Sequence, residues 1–232
     1  MFLGVDGCPA GWYAVSAPSA DGPISGRVYR HFRDLLRDAP QLSVIAVDIP
    51  IGLTATGSRR CDMLARAALS PRRGASVFPA PLRPILSVSN HQDASALRRT
   101  IEGKGMSIQS FAITGKVREV DDAIRLSGIS DGRVYEVHPE VCFTFAGDGA
   151  PMRFGKKTSA GRQERIQLLN GLFSDAPGRL LIERNKRDVG ADDVLDALIA
   201  LWSAFRIGRG EHTSLPPVPE HDALGNRMAI FY

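Results

Sequence analysis

Two apolar runs in this 232-residue chain each close on a single aspartate: Phe2–Asp6 reads FLGVD and Ser43–Asp48 reads SVIAVD. The second run is apolar enough to be buried on both faces, as a parallel strand is. A carboxylate at the end of a buried strand is costly to desolvate unless it is paired or holds a cation. With the two strands adjacent and parallel, Asp6 and Asp48 emerge at the same sheet edge. Their like charges then need a compensating group.

The rest of the chain supplies a mixed set of elements. Gly7, Pro9 and Gly11 form a turn after Asp6, and Trp12–Ala17 returns as the second arm of a hairpin. Ile24–His31 is a third candidate strand. A short helix is expected at Phe32–Ala39, stopped by Pro40. Cys61–Leu69, Asp93–Glu102 and Ser107–Leu126 carry apolar residues at helical spacing. Pro71–Pro84 holds four prolines with Arg72, Arg73 and Arg83, so it reads as an ordered surface loop or lid. Arg133–His138 is another short strand, Gly147–Gly161 a glycine-rich loop and Arg162–Phe173 a helix. Met228–Tyr232 is a candidate edge strand that either completes the sheet or pairs with another subunit.

The strongest element runs from Asp192 to about Ile207 and is apolar or small around most of its circumference, as a buried helix is. Asp193 and Asp196 are three apart and share a face. Asp192 and Asp193 lie at the helix start, where acids favour the macrodipole. Asp196 lies one turn further in, with no basic residue at i±3 or i±4. A further acid, Glu136, sits between Tyr135 and Val137 in the short strand. Asp6, Asp48, Glu136, Asp193 and Asp196 are the candidate catalytic set, with Asp6, Asp48 and Asp196 as metal ligands. Hard Mg²⁺ or Mn²⁺ takes oxygen ligands of this kind. Hydrolysis of a phosphodiester is the chemistry such a cluster serves best, one ion generating the nucleophile and another stabilising the leaving oxygen. Lys156, Lys157 and Arg83 are candidate phosphate contacts, set against the ordinary reading of solvated charges. Asp6 has its own plain alternative as a turn former, as does Asp48 before Ile49-Pro50; Glu136 has the alternative of pairing with a distant arginine, and His138 before Pro139 reads as structural.

Several classes are disfavoured. No apolar run approaches the roughly 20 residues needed to span a bilayer, and Met1 passes straight into the first strand without a leader-like segment. A cytoplasmic protein without a membrane partner is expected. Cys8, Cys61 and Cys142 form no CxxC pair, which argues against a disulfide framework and a thiolate zinc site. GxxxxGK[ST], GxGxxG after a strand, HExxH and GxSxG are all missing. A net charge of +4 leaves an anionic partner, nucleic acid included, open.

Six segments, in order, carry a resemblance: VDGCPAGW (Val5–Trp12), VDIPIGL (Val47–Leu53), SVFPAPLR (Ser76–Arg83), YEVHPE (Tyr135–Glu140), GKKT (Gly155–Thr158) and DDVLDAL (Asp192–Leu198). Together they resemble the DUF429 family, described as predicted nucleases of the ribonuclease H-like superfamily. The resemblance implies an α/β fold: a mixed sheet of three antiparallel strands plus parallel strands, flanked by helices. It implies one domain over 1–232, with the proline-rich loop and a helical insertion at about 54–131. The Asp193-x-x-Asp196 helix is also similar to the acidic helix of RuvC-type Holliday junction resolvases. On that pattern Asp6 is the central ligand and Asp193 and Asp196 are helix ligands. Asp48 matches in strand position, although resolvases carry Glu there, and Glu136 is carried by the DUF429 motif alone. Two other readings stand beside the nuclease: a nucleic-acid or nucleotide binder that does not cleave, and a hydrolase or transferase of a small phosphorylated metabolite with Pro71–Pro84 as its lid.

Overall fold

The computed structural model describes residues 1–126 and 132–232. One mixed sheet has the order β3-β2-β1-β4-β5, built from β1 (Phe2–Cys8), β2 (Gly11–Ala17), β3 (Ser25–Tyr29), β4 (Val44–Val47) and β5 (Val134–Glu136). The first three strands are antiparallel; β4 joins β1 in parallel, and β5 joins β4 in parallel. The fold is α/β, with helices on both faces, an arrangement consistent with the expected ribonuclease H-like one.

Helix α1 (Phe32–Asp38) follows β3. Between β4 and β5 lie α2 (Arg60–Leu69), α3 (His91–Glu102), α4 (Ile108–Ala112) and α5 (Thr114–Leu126). The single helix expected over Ser107–Leu126 is therefore two, parted at Ile113. The end of the expected insertion, 127–131, lies outside the described residues. After β5 come α6 (Pro139–Ala146), α7 (Ser159–Phe173), α8 (Ala176–Glu183) and α9 (Ala191–Arg209). Among the described residues no helix is long and apolar enough to cross a membrane.

Strand alternation sorts the core into two layers. Leu3 and Val5 of β1, with Ile45 and Val47 of β4, face α1 and α5, where Phe32, Leu35, Val117 and Val120 are buried. On the other face Ala46, Val15 and Val137 pack beneath α9, joined by Leu169 of α7 and Leu180 of α8. Each fully buried side chain of this size contributes about 1.5–3 kcal/mol. Gly4 sits on the α9 face, directly under the backbone at Ala197 and Leu201. That close approach clamps α9 to the sheet.

The chain ends in a hairpin of β6 (Ser214–His221) and β7 (Arg227–Phe231). Met228–Tyr232 thus pairs within the chain, and Phe231 also makes a parallel bridge to Val137 beside β5. The β6 segment contains Pro216, Pro217 and Pro219, which hide it from a sequence reading. The pairing register shifts between Leu215 and Glu220, and in that gap the prolines have no ladder partner.

Candidate functional site

Asp6, Asp48 and Asp196 converge at the carboxyl ends of β1 and β4. Each offers one oxygen, and the three atoms lie within 4.8 Å of one another. The geometry follows from strand parity. Gly4 pairs with Ala46 and Val5 with Val47, so Asp6 and Asp48, each two residues beyond a member of the first pair, share the α9 face. Asp196 comes down onto them because Ala197 is pinned over Gly4.

The trio is electrostatically strained. Burial, then the charges of Asp48 and Asp196, push the Asp6 carboxyl well above its ordinary range. Burial and then Asp196 raise Asp48 to about 7, and burial likewise raises Asp196. Lys156 answers part of this charge: its Nζ donates to Asp196 Oδ2 at 2.6 Å. Burial alone would lower the ammonium's pKa, but Asp196, Asp6 and Asp48 outweigh it and hold the lysine well above its usual range. The solvated reading of Lys156 is thereby corrected. Backbone geometry contributes as well, since the Gly7 amide donates to Asp6 Oδ1 at 2.7 Å.

The carboxylates line a cavity of about 410 Å³. Its cationic side is Lys156, Lys116 and Arg73; its apolar side is Pro50, Phe78, Ala112 and Ile113. Lys116 is fixed by donating to the Gly11 carbonyl at 2.5 Å, over the Trp12 ring. His138 lines the same cavity, its pKa lowered by burial, and its Nδ1 is buried without a hydrogen-bond partner.

Glu140, at the start of α6, was not among the acids singled out in sequence. It accepts from Arg165 at 2.5 Å and from Arg73 at 3.3 Å twice, tying α7 and the proline-rich loop to the site. The signal was present: an acid one residue after His138-Pro139, inside the YEVHPE segment.

The remaining expected residues are not part of the convergent trio, although the charge of Asp193 still reaches Asp6. Glu136 does not join the cluster. It pairs in register with Val47, which puts it on the opposite face of the sheet, where Arg59 holds it through two contacts of 2.7 Å. Arg59 also grips Asp62, and Glu136 accepts from the Ile51 amide. Cys61, Asp62 and Glu136 form a second close group, but a guanidinium fills it, so it serves as a clamp on the loop after β4. Glu136→Gln is expected to lower stability by about 2 kcal/mol, the value of a charge-assisted hydrogen bond, in urea denaturation. It should leave any Mn²⁺-induced shift in melting temperature unchanged, and a lost shift would return Glu136 to the catalytic set.

Asp193 stays at the helix start, where its Oδ2 accepts from the Gly190 amide at 2.8 Å as the helix cap. Arg83 bridges Asp121 and Asp222 away from the cavity. Lys157 is exposed. The Pro71–Pro84 segment is ordered as expected, and Val77, Ala80 and Leu82 anchor it in the interior.

The family pattern of DUF429, described as a protein of unknown function, matches residues 4–221. The chain belongs to the DUF429 family. No curated protein and no solved structure matches it. Every residue of the cavity described above falls inside the DUF429 match.

Proposed function

We propose that this DUF429 protein is a Mg²⁺- or Mn²⁺-dependent phosphodiester hydrolase, a nuclease of the ribonuclease H-like type. One observation carries the reading: three carboxylates, all with raised pKa, converge on a point where one ammonium is the only cation hydrogen-bonded to them among the described residues. With all three ionised and Lys156 charged, a charge of two is left uncompensated, which suits a divalent ion, and an all-oxygen donor set suits a hard one. Asp6, Asp48 and Asp196 would hold it. When bound, such an ion supplies Lewis-acid polarisation of a phosphoryl oxygen and charge neutralisation.

The chain's own groups do the rest. Lys156 and Lys116 attract and orient the phosphate. The Glu140–Arg165 pair keeps Arg73 at the cavity wall. His138 lines the cavity wall, where burial lowers its pKa against the charges of Glu140 and Asp196. A cleavage assay on single-stranded, duplex, hybrid and branched nucleic acids tests the reading. Turnover with Mn²⁺ and none with EDTA is expected; cleavage of none of them, or equal cleavage in EDTA, would overturn it.

The raised carboxyls fix a pH dependence. Asp48 moves from 3.8 to about 7 on folding, so its protonated form favours the folded apoprotein. That contribution is full below the unfolded value and is lost as pH rises through about 7. A cation must displace those protons, so it binds better above the folded value. Mn²⁺ is therefore expected to raise the melting temperature more at pH 8 than at pH 5.5. An equal or larger shift at pH 5.5 would count against these ligands.

A further inference from the structure

The Phe78 ring is out of place for a pure phosphate site. It is 49% exposed at the wall of the carboxylate cavity, yet the chain around it is firmly held. Val77 is buried against Cys61, Leu69 and Val141, while the Ala80 amide donates to Asp62 Oδ2 at 3.1 Å. With Val77 and Ala80 taking the interior, Phe78 is turned outward, and Pro79 and Pro81 stiffen its position. Ile113, where α4 and α5 part, adds a second apolar surface to the same cavity. A planar apolar face beside carboxylates and lysines matches one molecule with a charged end and a flat end.

We propose that this cavity takes a single unpaired nucleotide, with its phosphate toward Asp6, Asp48 and Lys156 and its base stacked on Phe78. The inference rests on the phosphodiesterase reading for the phosphate end, but not for the base. A volume of about 410 Å³ lies within the 300–1,000 Å³ range of small-molecule pockets. Paired bases present only their edges to a protein, whereas an unpaired base can offer its face to an aromatic ring. The occupant is therefore unpaired: a single-stranded segment, a strand end or a free nucleotide.

Binding of a fluorescent oligothymidylate to the full chain in EDTA, where no cleavage is expected, tests the inference, with a blunt duplex and thymidine monophosphate as competitors. Phe78→Ala is expected to weaken single-strand binding about 10-fold or more, Phe78→Trp to retain it, and the duplex to compete at least about 10-fold less well than the single strand. Competition by the mononucleotide at strand affinity supports the pocket and marks free nucleotide as the source. Preference for the strand supports it and marks nucleic acid. Unchanged binding by Phe78→Ala, or equal competition by the duplex, overturns it. The Mn²⁺-induced melting shift, measured without nucleotide, separates the two readings. A shift with no effect of Phe78 leaves the metal site standing and removes the stacking; a Phe78-dependent strand affinity with no shift does the reverse.

Discussion

Asp6→Asn is expected to abolish Mn²⁺-dependent cleavage and, in the same protein, to raise the melting temperature measured in EDTA at pH 8. The two effects have one cause. Asp6 is buried with Asp48 and Asp196 against it, and its ionisation is opposed by all three circumstances. An amide keeps the Oδ1 that accepts from the Gly7 backbone while removing one of the repelling charges. The expected gain in the metal-free protein is on the order of 1–2 kcal/mol, which is about 4 °C for a chain of this size. The same change removes an anionic ligand from the centre of the trio, so the Mn²⁺-induced melting shift should also vanish. A strained cluster that relaxes when its function is removed is the usual mark of a site kept at the expense of stability. Retained full activity, or a lower melting temperature in EDTA, would overturn the assignment of Asp6.

Much of this site was legible in the sequence because it depends on strand ends. FLGVD and SVIAVD announced two buried strands with terminal acids, and the acid-bearing helix announced itself by its apolar circumference. Three of the five expected acids converge. The two others do not join them, Glu136 for a physical reason that a linear reading misses. Glu136 lies at the carboxyl end of β5 as Asp6 and Asp48 lie near those of β1 and β4, but β5 pairs Val47 with Glu136, and a slip of one residue sends a side chain to the opposite face. Register is a tertiary property, so no local pattern around Glu136 discloses it. Asp193 had two readings in sequence, ligand or helix cap, and the structure supplies the cap.

Long-range partners were the least legible. Lys156 lies in a glycine-rich loop and looks solvated, yet the fold carries it across 40 positions in sequence to Asp196. Glu140 was hidden for the same reason, since Arg73 and Arg165 reach it from two other elements. The proline-rich β6 escaped because a proline run argues against a strand unless the ladder skips it.

Gly4→Ala is expected to cost more than about 4 kcal/mol in urea denaturation and to leave little folded protein. An ordinary overpacked core position costs about 1–3 kcal/mol because side chains rearrange. Here the methyl group would fall well inside van der Waals contact of the Ala197 carbonyl oxygen and the Leu201 amide nitrogen, so it meets backbone on the facing helix. Neither atom can rotate away; α9 must lift from β1. Lifting breaks the burial of Leu198 and Ala200 and leaves Asp196, one residue before Ala197, displaced from Asp6. The glycine that permits close packing thus also sets the spacing of the carboxylates, and stability and metal response should fail together. Gly171→Ala is the matching control: it lies within α7 with nothing near its would-be methyl, and helix propensity predicts a gain of up to about 1 kcal/mol. If Gly4→Ala instead folded with unaltered stability, the close approach of β1 and α9 that positions the whole site would be wrong.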